Sequence, residues 1–208
     1  MTAQTTAGPD GKLDRRAAMA ALLADRGDDL VAIPGLGSTC WDLAAAGDND
    51  RNFYLWGAMG GAAMVGLGLA LAQPERRVLV VTGDGEMLMG MGSLATIGIK
   101  RPANLAVVVF DNGHYGETGM QPSHTNGGRV DLVAVAKGCG IETALDVRDE
   151  AGLAGLVERL KTLHDRGSGV GPLFARLAIS AAEAPRVLPE RDGVVLKNRF
   201  RAAIGLKA

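Results

Sequence analysis

Residues 78–85 read VLVVTGDG, and residues 105–112 read LAVVVFDN. Each stretch opens with a continuous apolar run and closes on a polar turn that lies next to a glycine. Continuous apolar runs of this length are typical of strands that are covered on both faces, as in a parallel sheet. The two stretches therefore predict buried parallel strands whose ends carry Asp84 and Asn112.

The rest of the chain alternates between similar strand-like runs and helical patterns. Further strands are expected at residues 30–33, 141–147 and 172–179. Helices are expected at residues 38–46 (with Ser38 as the cap), 60–72, 87–99, 131–138 and 149–164. This alternation predicts an α/β fold with a doubly wound parallel sheet. We expect one domain over residues 1–208, with N- and C-terminal extensions that are mobile or face a partner.

Composition excludes several classes of function. The 208 residues include 22 Lys and Arg against 23 Asp and Glu, and only 4% of the residues are aromatic. A basic surface for nucleic acid or anionic lipid is therefore not expected, nor are aromatic platforms for single strands. Cys40 and Cys139 fit neither a disulfide framework nor a zinc site, and they predict reduced thiols in a cytoplasmic protein.

Residues 52–74 carry no charge and could be mistaken for a membrane span. The stretch opens on Asn-Phe-Tyr, ends on Gln-Pro, and contains five glycines. We therefore predict a buried helix that packs closely through small residues, and no membrane segment. The first 12 residues are polar and show no signal peptide.

Polar residues at the carboxyl ends of the first two quoted strands form the candidate site. Ligands of open α/β sheets bind outside these ends, so Asp84 and Asn112 are expected to converge. Carboxylate, amide and backbone carbonyl oxygens suit Mg²⁺ or Ca²⁺, and Mg²⁺ usually also takes phosphate oxygens. Gly83 and Gly85 would let the backbone approach a diphosphate, toward which the following helix would direct its N–H groups. Each tripeptide alone is more often only a turn.

The order and spacing of three motifs resemble those of thiamine diphosphate-dependent enzymes. Gly83-Asp84-Gly85 precedes Asp111-Asn112 by the distance that separates the family's Gly-Asp-Gly from its Asn-Asn. Upstream, Gly57-Ala58-Met59-Gly60 resembles the loop whose bulky apolar residue supports the bent cofactor, and downstream residues 115–122 read YGETGMQP. Over roughly residues 52–147 the chain resembles the small β subunits of sulfopyruvate and phosphonopyruvate decarboxylases.

The resemblance implies a role for each matched residue. Asp84, the Asn112 side chain and the His114 carbonyl would bind Mg²⁺. Met59 would be the wedge that bends the cofactor, and the Gly57 carbonyl would accept a hydrogen bond from the aminopyrimidine. The residues that the resemblance assigns to cofactor binding are Ser38, Gly57, Met59, Gly83, Asp84, Gly85, Glu86, Asn112 and Tyr115, with Gly85 and Glu86 acting through backbone N–H groups. Asp111 departs from the usual first Asn, which leaves its further contacts open.

The predicted catalytic residues are Met59, Glu117 and His124. Glu117, Ser123, His124 and Arg129 lie on the loop after the metal site and are candidates for the proton donor or for substrate contact. Glu117 sits one position before the glutamate of some related decarboxylases, so its role does not follow from the resemblance. His124 could meet a carboxylate and Arg129 a phosphonate or sulfonate, although both also suit an ordinary surface loop.

We do not expect the 208 residues to accommodate the separate domain that carries the activating glutamate in the enzymes that the chain resembles. The resemblance therefore implies an α subunit of similar size and an active site at the subunit interface. The expected function is that of the β subunit of a heteromeric 2-oxo acid decarboxylase that uses thiamine diphosphate and Mg²⁺ and releases CO₂ and an aldehyde. Two alternatives remain open, a carboligating enzyme similar to acetolactate synthase and a non-catalytic cofactor-binding scaffold.

Overall fold

The computed structural model describes residues 7–163 and 171–207. Its strands are β1 (Leu30–Pro34), β2 (Arg77–Gly83), β3 (Leu105–Asp111), β4 (His114–Tyr115), β5 (Gln121–Pro122), β6 (Thr143–Val147) and β7 (Leu173–Ala178). Five of them form one sheet in the order β1-β2-β3-β7-β6, and every neighbouring pair is parallel. The two short strands β4 and β5 form an antiparallel hairpin outside this sheet.

Helices lie on both faces of the sheet. They are α1 (Arg15–Leu23), α2 (Ser38–Ala45), α3 (Ala62–Ala72), α4 (Asp84–Met89), α5 (Ser93–Lys100), α6 (Leu132–Gly138), α7 (Glu150–Lys161) and α8 (Gly193–Ala203). Successive side chains of β2 alternate between two core clusters. Leu79 and Val81 pack with α1, α2 and α7, whereas Val78 and Val80 pack with α3, α5 and α6. This alternation confirms the predicted doubly wound parallel α/β sheet.

The predicted helix over residues 87–99 is two helices, α4 and α5. The break falls at Gly90, where a Cβ atom would lie 2.2 Å from the carbonyl oxygen of Gly60. The chain turns there because two backbones touch, which only glycine allows. Helix α1 was not predicted, and the end of the predicted helix over residues 149–164 lies outside the described residues.

The prediction that Ser38 caps its helix is wrong. Gly37 occupies the cap position with φ +83°, and the cap makes no side-chain hydrogen bond. Ser38 is instead the first helical residue. Aspartates take the capping role elsewhere, as Asp131 does for α6 and Asp149 does for α7.

Helix α3 covers one face of the sheet and leaves its opposite side in solvent. Its Gly66 and Leu67 are buried, whereas Met64 and Leu71 are 43% and 50% exposed. Helix α3, which lies within the uncharged stretch at residues 52–74, is therefore only half buried. A single layer of helices covers this face of the sheet, so the outer side of α3 stays in solvent. No described helix has both the length and the apolar character needed to cross a membrane.

The segment after β7 runs back over the body of the molecule to α8. Arg16 of α1 donates a hydrogen bond to the Pro185 carbonyl, and the Trp56 indole donates one to the Glu190 carbonyl at 2.9 Å. The segment therefore packs on two regions that are distant in sequence. Whether the terminal extensions are mobile or face a partner stays a prediction, and residues 1–6 lie outside the described residues.

Candidate functional site

A cavity of about 270 Å³ lies at the carboxyl ends of β1, β2, β3 and β7. The predicted site residues that line it are Ser38, Met59, Gly83, Asp84, Gly85, Glu86, Asn112, His114, Tyr115 and Glu117. Gly57 and His124 do not line it. Gly57 lies exposed in the loop that carries Met59, and His124 reaches the cavity wall through its Nδ1, 3.1 Å from the Tyr115 hydroxyl. The fold therefore gathers most of the predicted site at one edge of the sheet.

Asp84 begins α4 directly after β2 and is 2% exposed. Its Oδ2 accepts hydrogen bonds from the Ser123 hydroxyl and, at 3.2 Å, from the Thr125 hydroxyl. Burial raises the pKa of Asp84, and the nearby Asp111 carboxylate raises it further, while the two hydroxyls lower it. A buried carboxylate beside a second carboxylate gains strongly from a divalent cation, which offsets the like-charge repulsion.

Asp111 stands where the related enzymes usually have Asn. Its negative charge is paired with Arg176 on β7. Its Oδ2 accepts a hydrogen bond from Arg176 Nε at 2.7 Å, and its Oδ1 accepts one from the Thr125 hydroxyl at 2.8 Å. Arg176 also pairs with Asp146 on β6 at 3.0 Å. The extra negative charge therefore has its own half-buried partner, Arg176. Sequence reasoning missed Thr125 and Arg176, because neither belongs to a motif.

Asn112 shapes the turn that leads into the β4–β5 hairpin. Its side-chain oxygen accepts a hydrogen bond from the His114 N–H at 2.8 Å, and its carbonyl oxygen lies 2.9 Å from His114 Nδ1. An amide oxygen has two lone pairs, so this turn leaves one free for a cation. No group of three or more His, Cys, Asp or Glu side chains among the described residues is arranged to hold a metal. The predicted ligand set does not require such a group, since it combines a single carboxylate with an amide oxygen and a backbone carbonyl.

The two glycines around Asp84 serve different purposes. A Cβ atom at Gly83 would meet nothing within 4 Å, so the space above this backbone belongs to the cavity. A Cβ atom at Gly85 would lie 2.6 Å from the Tyr115 ring. Open space beside Gly83 and a buried oxygen ligand at Asp84 fit a bound diphosphate with its metal ion, whereas Gly85 is needed to admit the Tyr115 ring.

The Glu86 side chain has a role that the sequence did not indicate. It is 4% exposed and accepts hydrogen bonds from the Leu36 N–H at 3.0 Å, the Thr82 hydroxyl at 2.9 Å and the Ala62 N–H at 3.4 Å. Burial raises the pKa of Glu86, and these hydrogen bonds oppose the shift. A Cβ atom at Gly35 would lie 1.6 Å from Glu86 Oε2, so glycine is required there. The carboxylate thus joins the turn after β1 to the start of α3.

Met59 and Glu117 stand on opposite loops of the cavity. Met59 is 41% exposed and lies in a loop that ends at Gly60, whose φ is +87°. The Glu117 carboxylate lies so close to Gly37 that a Cβ atom there would be 2.8 Å from Oε1. Both positions are compatible with contact to a ligand, and both catalytic assignments stay predictions.

Ser123 and Arg129, the other two loop candidates, do not face the cavity. Ser123 is 4% exposed and its hydroxyl is committed to Asp84, so it supports a predicted metal ligand instead of facing a substrate. Arg129 is exposed and does not line the cavity. The loop therefore directs the buried Ser123 hydroxyl toward Asp84 and leaves the charged Arg129 side chain in solvent.

One wall of the cavity comes from residues that the sequence did not single out. Arg15 on α1, Trp41 on α2, and Ile179 and Arg186 after β7 all line it. No motif marks these residues, and only the packing of both ends of the chain against α2 reveals them.

A parallel sheet with a cavity at its carboxyl edge defines a class, the open α/β domains that bind ligands outside the carboxyl ends of their strands. Residues 35–170 match the family model described as "Thiamine pyrophosphate enzyme, C-terminal TPP binding domain". The chain belongs to this family, and the resemblance stated from its motifs is confirmed.

The chain is similar to several decarboxylases. Sulfopyruvate decarboxylase subunit beta of Methanocaldococcus jannaschii is 44% identical over 117 residues, which cover 56% of this chain and 61% of the relative. Phosphonopyruvate decarboxylase of Streptomyces viridochromogenes is 40% identical over 200 residues, 91% of this chain and 46% of the relative. Sulfopyruvate decarboxylase subunit beta of Methanothermobacter thermautotrophicus is 36% identical over 176 residues, 83% of this chain and 86% of the relative. The chain thus covers less than two thirds of the first two relatives.

A solved structure shares the fold. It is an X-ray structure of a putative thiamin diphosphate-dependent enzyme from Mycobacterium smegmatis, with a TM-score of 0.66 and 21% sequence identity. The match covers 81% of this chain and 32% of that chain. At this identity the likeness concerns the fold alone, and it agrees with the parallel sheet described above.

Proposed function

We propose that this chain is the β subunit of a heteromeric 2-oxo acid decarboxylase of the sulfopyruvate or phosphonopyruvate type, dependent on thiamine diphosphate and Mg²⁺. The observation that carries the proposal is the common cavity of Asp84, Asn112 and the open backbone at Gly83, in a chain of the thiamine diphosphate-binding family. The names of the relatives support the reaction and the designation as a β subunit.

In this proposal the chain's own residues bind and orient the reactants. Asp84, Asn112 and the His114 carbonyl hold Mg²⁺, and N–H groups at the start of α4 meet the diphosphate. Met59, which lines the cavity, would be the apolar wedge that supports the bound cofactor. Thiamine diphosphate, when bound, supplies the carbon nucleophile and the electron sink that decarboxylation requires. Ser123 and Thr125 bind Oδ2 of Asp84, so its Oδ1 would be left for the metal ion.

The glutamate that activates the cofactor belongs, in this proposal, to a separate α subunit. The active site then lies where that subunit covers the cavity, and this chain alone is inactive. A cytoplasmic location is part of the proposal, since Cys40 and Cys139 are both free thiols.

Asp84→Asn tests the metal site, because it keeps the shape and removes the charge. We expect it to weaken Mg²⁺-dependent binding of thiamine diphosphate about 100-fold or more, measured by titration calorimetry on the complete complex. Asp28→Asn, at an exposed aspartate far from the cavity, is the matched control. Unchanged Mg²⁺-dependent binding in Asp84→Asn would remove the metal assignment.

A tagged pull-down from the native host tests the partner. A near-stoichiometric polypeptide of similar size is the expected result, and decarboxylation should require both chains. A chain recovered alone at native abundance, and active alone, would contradict the heteromer. Product analysis with and without an acceptor aldehyde separates decarboxylation from carboligation.

A further inference from the structure

The wall formed by α1 and the segment after β7 carries two guanidinium groups. Arg15 and Arg186 both line the cavity, and both lie outside residues 35–170, which match the family model. The acidic residues of the lining are Asp84, Glu86, Glu117 and Glu183. Asp84 and Glu86 form its floor after β2, so the two arginines are the cationic part of a cavity that otherwise carries carboxylates.

Arg15 belongs to a largely buried cluster of charged side chains, in which Arg15 and Arg16 surround Asp42 and Asp14 lies nearby. The Nε atoms of Arg15 and Arg16 lie 3.5 Å and 2.5 Å from the carboxylate of Asp42, which is fully buried. The Arg15 side chain is only 12% exposed. The neighbouring Asp14 caps α1 by accepting a hydrogen bond from the Ala17 N–H. The Arg15 side chain therefore lines the cavity with little solvent around it, where a bound anion would gain a charge-assisted partner.

Arg186 is an exposed residue whose guanidinium packs on an aromatic ring. Its guanidinium lies 4.4 Å from the centroid of the Trp41 ring, and the preceding carbonyl, that of Pro185, accepts a hydrogen bond from Arg16. Among the residues that the structure describes, Arg186 forms no ion pair. A stacked guanidinium without a carboxylate partner is preorganised to bind an oxyanion bidentately.

We propose that Arg15 and Arg186 form a cationic clamp for a tetrahedral oxyanion bound in this cavity. This inference rests on the proposed function, which supplies two sources of such a group, the terminal phosphate of the cofactor and the sulfonate or phosphonate tail of the substrate. Ser38, a predicted diphosphate contact, and Trp41, which carries Arg186, lie one turn apart at the start of α2. The phosphate is therefore the expected occupant of the clamp.

Calorimetric titrations of the αβ complex with inorganic diphosphate plus Mg²⁺, and with thiamine diphosphate plus Mg²⁺, test the clamp. Arg186→Ala and Arg15→Met should each weaken diphosphate binding about tenfold or more, since each removes charge-assisted hydrogen bonds. Arg15→Met leaves Asp42 paired with Arg16, so its melting temperature should stay close to that of the wild type. Arg191→Ala is the matched control, because Arg191 stacks on Trp56 at 5.3 Å and does not line the cavity.

Steady-state kinetics separate the two sources. A clamp for the substrate tail would leave both diphosphate titrations unchanged, and it would raise the KM of sulfopyruvate or phosphonopyruvate about tenfold while the KM of pyruvate stays constant. Normal affinities and normal KM values in both arginine variants would overturn the clamp and leave the proposed function intact. A wild-type complex that binds neither diphosphate ligand would overturn the cofactor site, and the clamp with it.

Discussion

The Glu86 carboxylate connects three segments around the cavity through a single buried side chain. It accepts hydrogen bonds from the turn after β1, from the end of β2 and from the first turn of α3. The loop that carries Met59 leads directly into this turn of α3. The position of the loop that carries Met59 therefore depends on Glu86, which binds the backbone where that loop enters α3.

Removal of this carboxylate should destabilise the fold and loosen the site. We expect Glu86→Ala to lower the free energy of unfolding by about 2–4 kcal/mol, because the buried N–H groups of Leu36 and Ala62 lose their acceptor. Glu86→Gln, which keeps one acceptor oxygen, should lose less. Urea unfolding curves measure both, and Glu75→Ala at an exposed position should stay within about 0.5 kcal/mol of the wild type. Equal stability of Glu86→Ala and Glu75→Ala would contradict this role.

At the scale of one element, α3 shows how glycine sets the distance between a helix and the sheet. A Cβ atom at Gly66 would lie 2.2 Å from Val80 Cγ2 on β2, whereas one at Gly68 would meet nothing within 4 Å. The two glycines lie in the same helix and differ only in the side they face. Substitutions at the two positions therefore distinguish the effect of close packing against the sheet from the effect of helix propensity.

Alanine at these two positions should have opposite effects. Gly66→Ala should destabilise the protein by about 1–3 kcal/mol through overpacking against β2. Gly68→Ala should stabilise it by about 0.5–1 kcal/mol, because alanine loses less backbone entropy in a helix. Thermal or urea unfolding of the two variants measures the difference. A stabilising Gly66→Ala would show that α3 does not lie this close to the sheet.

Helix α8 is anchored by a titratable contact. Arg199 donates hydrogen bonds to Asp48 at 2.8 Å and 3.0 Å, and Asp48 also accepts one from the Tyr54 hydroxyl at 2.9 Å. Burial raises the pKa of Asp48, but the hydrogen bonds from Arg199 and Tyr54 outweigh it, so the pKa lies below its ordinary value of 3.8. A carboxylate with a lowered folded pKa stabilises the protein above its unfolded pKa.

The stabilising effect of Asp48 should therefore disappear in acid. We expect Asp48→Asn to be less stable than the wild type at pH 7, and the difference to shrink as the pH falls below about 3.8 and through the folded pKa. Urea unfolding at a series of pH values measures this difference. Asp50→Asn is the matched control, because its carboxylate is mostly exposed and lies 4.0 Å from Arg199. A difference that persists unchanged at pH 2.5 would exclude the ion pair as its cause.

At the scale of the whole molecule, α8 belongs to both halves of the core. Leu196 packs in the cluster under α1, α2 and α7, while Phe200 and Ile204 pack in the cluster under α3, α5 and α6. The Phe200 ring also lies 5.2 Å from the Phe53 ring. The last helix thus joins the two sides of the sheet, which favours cooperative unfolding.

Truncation of the Phe200 side chain, which would leave a cavity, should lower the stability of the entire fold. We expect Phe200→Ala to lower the free energy of unfolding by about 3–5 kcal/mol in one cooperative transition. Val194→Ala, on the exposed side of the same helix, should cost less than about 0.5 kcal/mol. Tryptophan fluorescence and far-UV circular dichroism should report the same midpoint. Two separate transitions would contradict the single domain that the sequence predicts.

Much of the fold was predictable, because its strands are buried on both faces and their apolar runs are continuous. The spacing of Gly83-Asp84-Gly85 and Asn112 was sufficient to predict a site at the carboxyl ends of β2 and β3. Contacts made by single side chains were less predictable. Ser123 was a candidate for proton transfer or substrate contact, and its hydroxyl binds Asp84. Gly85, expected to meet a diphosphate through its N–H group, also admits the Tyr115 ring. Neither contact follows from a local pattern.

Local and regularly spaced features of the chain therefore specify the α/β class, the parallel strands and the family of the cofactor site. The folded molecule adds the partners of that site, since Arg176 reaches Asp111 across neighbouring strands and Thr125 returns to it through the hairpin loop. It also brings Arg15 and Arg186, from opposite ends of the chain, to one wall of the cavity. Such contacts join residues that are far apart in sequence, and they exist only after the sheet has aligned its strands.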